Sequence, residues 1–164
     1  MKKIILSLII IATFIGCGIY GFSGVNTDAE SIQIDFFPNQ AQLVEPVLTQ
    51  RFTNDLQDLY TRQTNLTLTN SKADLHLSGE ITGFRVTPMS GTSDQTAAQN
   101  RLTVTVNVRF ANRLNEKDDF EKSFSFYADF AANAQLVGGV LETALDEIVE
   151  RITQDIFNVT VAKW

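Results

Sequence analysis

The chain has 164 residues, 44% hydrophobic and 20% charged, an ordinary globular balance that argues for one compact domain and against wholesale disorder. Its 13 Lys and Arg face 19 Asp and Glu, a net charge of −6, so no basic face is expected for a nucleic-acid partner. A single Cys and a single His argue against the usual zinc ligand sets.

Lys2 and Lys3 precede an apolar run from Ile4 to Ile15. The run is shorter than the roughly 20 residues that cross a bilayer, so residues 1–16 are predicted to be a secretory signal. It ends in Phe14-Ile15-Gly16-Cys17, which resembles a bacterial lipobox with Phe14 in place of the usual Leu. Cys17 is therefore the predicted lipid attachment site, since an unpaired thiol is otherwise a liability in an oxidising compartment. A diacylglycerol thioether plus an N-acyl chain would anchor the protein stably to a membrane. Gly18, rather than Asp, follows the cysteine, which by the enterobacterial sorting rule points to the outer membrane. Residues 17–30 are predicted to be a lipidated tether and residues 31–164 a single domain.

In that domain Ser31–Phe36 alternates with period two, predicting a strand with Ile32, Ile34 and Phe36 on one face. Pro38-Asn39 stops it. Val44, Val47, Leu48, Phe52, Leu56, Leu59 and Tyr60 then recur at helical spacing, with Pro46 in the first turn, and predict a helix of about 18 residues. Thr64–Thr69 is β-prone, a short strand or a lead-in to the next. Ala73, Leu75, Leu77 and Ile81 alternate with polar residues until Gly83, where parity changes to Phe84 and Val86, the mark of a bulge. Two further alternating runs follow, Leu102–Phe110 and the Phe-rich Phe120–Phe130, the latter expected at the core. Val140 to Phe157 carries a second helical stripe. The expected fold is α+β: a two-layer sandwich with two helices on one face of a mainly antiparallel four-stranded sheet, in the order β-α-β-β-β-α.

Residues 87–100 form the longest predicted connection, rich in Ser, Thr and Gly and flanked by Arg85 and Arg101. The two arginines are either solvated neighbours of a floppy tip or donors for bidentate phosphate contact. Other candidates carry less. His76 lies among polar residues and is expected to face solvent. Asp118, Asp119 and Glu121 lack the spacing of a calcium loop. Asp74 and Glu80 are too far apart on one strand for a paired acid and base. Gly138-Gly139 has no lysine to make a phosphate loop, and Asn65-Leu66-Thr67 matches a glycosylation acceptor with no meaning in a bacterial lipoprotein. No nucleophile–base constellation is present, so the chain is not expected to be an enzyme, and no cofactor or metal is implied.

Several segments carry a family likeness: Gly16-Cys17-Gly18-Ile19-Tyr20-Gly21-Phe22-Ser23-Gly24, Phe37-Pro38-Asn39, Asn100-Arg101-Leu102-Thr103-Val104 and Asp119-Phe120-Glu121-Lys122-Ser123-Phe124-Ser125-Phe126. With the order of elements, they resemble the LptE family of lipopolysaccharide-assembly outer-membrane lipoproteins, in its Bacteroidetes-type branch. The resemblance implies a non-enzymatic protein, anchored on the periplasmic side of the outer membrane. It would plug and help assemble an LptD-like β-barrel and assist lipopolysaccharide transport to the cell surface. It further implies that Arg101 and Arg85 contact lipopolysaccharide, and that the loop around Pro88, Met89, Ser90, Gly91 and Thr92 engages the barrel. The alternative is a lipoprotein scaffold or pilot subunit of another outer-membrane complex.

Overall fold

A computed structural model of the chain describes residues 28–89 and 98–161. Cys17, the signal and the tether up to residue 27 lie outside the described residues, as do Ser90, Gly91 and Thr92 of the hairpin.

The chain order is β1 (Ser31–Ile34), α1 (Pro46–Gln63), β2 (Thr67–Leu68), β3 (Leu75–Met89), β4 (Gln99–Asn112), β5 (Phe120–Ala131) and α2 (Gly138–Thr160). The α+β class is as the alternation predicts. The sheet has five strands rather than four and is mixed, in the order β2-β1-β3-β4-β5. β1 runs parallel to both β2 and β3, while β3, β4 and β5 are antiparallel. The parallel pairs arise because α1 carries the chain back to the end from which β1 started, as a crossover must.

α1 starts where proline permits. Pro46 sits in the first turn, and the Glu45 carboxylate accepts from Val47 N at 3.4 Å. Its buried stripe is Leu48, Phe52, Leu56, Leu59 and Tyr60; Val44 and Val47, expected in that stripe, are exposed because the helix is only beginning there. α2 buries Ala144, Leu145, Ile148, Val149, Ile152, Ile156 and Phe157. The two helices are joined by the buried Tyr60 hydroxyl, hydrogen-bonded to Thr160 Oγ1, and by Arg51, which pairs with Asp146 and with Glu142 at 3.1 Å. Burial pushes the Tyr60 phenol well above its ordinary value.

Both helices cover one sheet face. That face carries Leu75, Leu77, Ile81 and Phe84 of β3 and Leu102, Val104, Val106, Val108 and Phe110 of β4, all buried. Parity on β3 shifts between Ile81 and Gly83, the bulge that the sequence predicts.

Two expectations fail at the margins of the sheet. Phe36 does not join Ile32 and Ile34: it is 57% exposed, and Phe37 is fully buried in its stead. Ile34 lies beside Leu77 and Asn39 beside Ile81, so five steps of this chain match four of β3. The extra residue flips the alternation and turns the Phe37 ring inward, 5.2 Å from Phe52. The Phe-rich β5 is an edge strand, not the centre of the core. Phe124 is buried, whereas Phe120, Phe126 and Phe130 are only half-buried. Among the described residues no strand lies beyond β5, so their outer flanks have no strand to pack on.

Candidate functional site

Among the described residues no helix lies over the opposite face of β3–β4–β5, and most of its polar side chains pair with one another. Arg109 bonds Glu80 through two contacts, Nη2–Oε2 at 2.7 Å and Nη1–Oε1 at 3.2 Å, and approaches Glu121 at 3.7 Å. Asn107 Nδ2 donates to both carboxylates, at 3.1 Å to Glu80 and 2.8 Å to Glu121. Hydrogen bonds from Arg109 and then Asn107 hold Glu80 below its ordinary pKa. One rung further, Thr105 and Ser125 hydroxyls meet at 3.1 Å. Near the other end of β3, His76 Nε2 lies 2.8 Å from Asp35 Oδ2, so this half-exposed histidine has a carboxylate partner as well as solvent.

The two arginines singled out from the sequence stand together on this face. Arg85 is opposite Thr103 and Arg101 opposite Thr87, which makes them diagonal neighbours across β3–β4. Their surroundings differ. Arg101 grips Asp129 with both arms of its fork, Nε–Oδ1 at 2.7 Å and Nη2–Oδ2 at 2.8 Å, and its guanidinium carbon lies 3.5 Å over the Tyr127 ring. The Asp129 hydrogen bond raises the Arg101 pKa, and the same bond lowers that of Asp129. The bidentate geometry expected toward phosphate is thus already spent on a carboxylate. Arg85 is exposed and has no ion-pair partner among the described residues. Asp129 and Tyr127 went unseen in the sequence because nothing local links them to Arg101. Only the β4–β5 register, Arg101 opposite Asp129 and Thr103 opposite Tyr127, brings them together.

Pro88 and Met89, expected in the loop, are strand residues. β3 keeps pairing through Pro88 opposite Asn100 and Met89 opposite Gln99. Proline is tolerated there because β1 has ended and β3 is paired on one side only. Asp118 and Asp119 are used locally, accepting from the Asn112 side chain at 3.0 Å and the Asn112 backbone at 2.7 Å. Among the described residues no cluster of three metal-ligating side chains forms, and no helix is long and apolar enough to cross a membrane.

The sequence matches the LptE family model, described as lipopolysaccharide-assembly, over residues 29–160. The chain belongs to the LptE family. The matched span covers every strand and both helices, so this LptE-family chain contributes its whole described fold to the likeness. Solved structures share that fold at low identity. Protein XCC0632 from Xanthomonas campestris is 9% identical with a TM-score of 0.55, over 84% of this chain and 87% of its own. Protein CT253 from Chlamydia trachomatis is 11% identical with a TM-score of 0.54, over 81% and 98%. PelC from Paraburkholderia phytofirmans, crystallised as a dodecamer, is 8% identical with a TM-score of 0.51, over 84% and 92%. No curated protein matches the sequence.

Proposed function

We propose that this LptE-family chain is a lipid-anchored, non-enzymatic subunit on the periplasmic side of the outer membrane. There it plugs and helps assemble an LptD-like β-barrel and assists lipopolysaccharide transport to the cell surface. The observation that carries this reading is the sheet face opposite the helices, where every charge of β3, β4 and β5 except Arg85 is paired within the face and the groups between them are mostly hydroxyls and amides. A barrel lumen is polar and water-lined. A face of this kind can enter it with Arg85 as the one charge that still needs a partner there. Cys17 carries the lipid, and residues 1–16 are removed as its signal.

Lipopolysaccharide contact falls chiefly to Arg85, with Arg101 available when Asp129 lets go. The hairpin around Pro88, Met89, Ser90, Gly91 and Thr92 reaches into the barrel. The deciding experiment is depletion in the source bacterium, with the barrel's heat-stable folded form and surface lipopolysaccharide measured together. Loss of both is expected. Normal assembly and normal surface lipopolysaccharide would refute the reading. Mass spectrometry of the mature N-terminus tests the anchor, and a free thiol at Cys17 would remove it.

A further inference from the structure

Among the described residues, no strand pairs with the outer edge of β5. Its ladder with β4 keeps one register throughout, from Gln99 opposite Ala131 to Phe110 opposite Phe120. Just beyond it, in the same register, Ala132 N donates to Ala98 O at 3.1 Å. Antiparallel pairs alternate between those that exchange hydrogen bonds and those that do not. Counting back from Ala132, the even-numbered residues of β5 turn their backbone groups to β4, and the odd-numbered ones turn theirs outward. The N–H and C=O of Glu121, Ser123, Ser125, Tyr127 and Asp129 accordingly have no partner among the described residues.

Proteins normally blunt such an edge with proline, a bulge, a very short strand or an inward charge. The other edge of this sheet is β2, two residues long. β5 is 12 residues long, without proline or bulge, and its single inward charge, Lys122, rests over the Phe124 ring at 5.2 Å.

We propose that β5 receives an extended segment of the barrel partner as a sixth strand; this rests on the reading of the chain as a barrel subunit. Two observations define the segment. On the helix-covered face, Phe126 and Phe130 are half-buried, so the residues arriving beside them are apolar. On the open face, Ser123 and Ser125 are small and uncharged, so the intervening residues are polar and uncharged. A second copy fits poorly. α2 is seated on β5, with Arg151 5.7 Å from the Phe126 ring. Pairing β5 with its own copy at the usual strand spacing of about 4.8 Å would crowd two α2 helices that need roughly 8–10 Å between axes. Backbone pairing supplies the affinity in this recognition mode, and alternate side chains supply the choice of partner.

The test uses the full lipidated chain in its own bacterium, with a photoreactive phenylalanine analogue in place of Ser123 and the cross-linked peptide mapped. Two substitutions at one position separate backbone from side chain. Ser125→Ala keeps the outward N–H, whereas Ser125→Pro deletes it without removing a ladder bond to β4. The cross-link is expected to fall in one segment of the barrel, at an unchanged yield in Ser125→Ala and at least about tenfold less in Ser125→Pro. Amide exchange on the unsubstituted complex guards against a misfolded proline variant: Ser123, Ser125 and Tyr127 N–H groups should be protected only when the partner is bound. Cross-links to a second copy, equal yields in the two variants, or unprotected odd-numbered amides overturn the inference. A proline-sensitive cross-link to a protein that is not a barrel keeps the sixth strand and overturns the barrel reading.

Discussion

The Asp74 carboxylate holds Ser31, 43 residues earlier in the chain. One oxygen accepts from Ser31 N at 3.1 Å, Ser31 Oγ at 2.9 Å and Glu30 N at 3.0 Å, while Asp74 N donates back to Ser31 Oγ at 3.0 Å. This clasp fixes where β1 begins against β3. Asp74→Ala should lower Tm and speed amide exchange across Ser31–Ile34 while leaving β4 protected. Unchanged exchange in β1 would show the clasp to be idle.

Acid should undo the same contacts. Hydrogen bonds from Glu30 and then Ser31 hold Asp74 below its ordinary pKa. Arg109 does so for Glu80, and Arg101 for Asp129. At Asp35 burial pulls upward, and bonds from Gln33 and His76 outweigh it. A carboxyl lowered in the folded state adds stability above its unfolded pKa, near 4, and loses it as pH falls through the folded value. Asp55, raised by burial, works the other way at the top of that window. Thermal midpoints should be nearly flat from pH 7 to about pH 5 and fall below about pH 4. Asp74→Asn should fall less steeply, a difference that melts at matched ionic strength would reveal.

Gly79 and Phe37 share one volume. A Cβ on Gly79 would come 2.6 Å from Phe37 Cε1 and 2.2 Å from the Asn107 carbonyl oxygen, which is backbone and cannot step aside. Gly79→Ala should cost about 1–3 kcal/mol by overpacking. Phe37→Ala should cost about 3–5 kcal/mol by leaving a cavity against Phe52. In the double variant the total should fall short of the sum, because removing the ring relieves the 2.6 Å contact, but the 2.2 Å approach to the Asn107 carbonyl keeps part of the Gly79→Ala cost. Urea melts of the four proteins measure all three.

Lipopolysaccharide binding should depend on which arginine is free. Arg85→Ala is expected to weaken binding about two- to fivefold, the range of an exposed charge contact, and more than Arg101→Ala, because Arg101 is held by Asp129. Asp129→Asn should tighten binding by releasing that fork. All three differences should shrink with added salt. Titration of purified lipopolysaccharide against the variants checks the order, and a larger loss in Arg101→Ala would reverse the assignment.

Periodicity made most of the fold legible. α1, with its proline start, β4, with five alternating buried residues, and the Gly83 bulge follow from local pattern. What was not legible depends on partners distant in sequence. The flip from Phe36 to Phe37 needs the neighbouring strand, since only its shorter count exposes the extra residue. The edge position of β5 is equally hidden, because a strand with one apolar face reads the same at centre and margin. Arg85 and Arg101 were visible as flanks of the hairpin. The Asp129 fork that separates them chemically was not, because register across β4–β5 is a property of the folded sheet.

β3 sets a distance. Asp74 and the first residues of β1 meet at its start, and Met89 stands at its far end. Fifteen extended residues measure about 45–50 Å, more than the whole thickness of a bilayer including headgroups. Were the proposed lipid on Cys17 to hold the β1 end at a membrane, a rod of this length would carry Arg85 well clear of that leaflet. On that reading strand length would set the depth at which Arg85 works, and trimming two rungs from both β3 and β4 would draw Met89 back by about 7 Å.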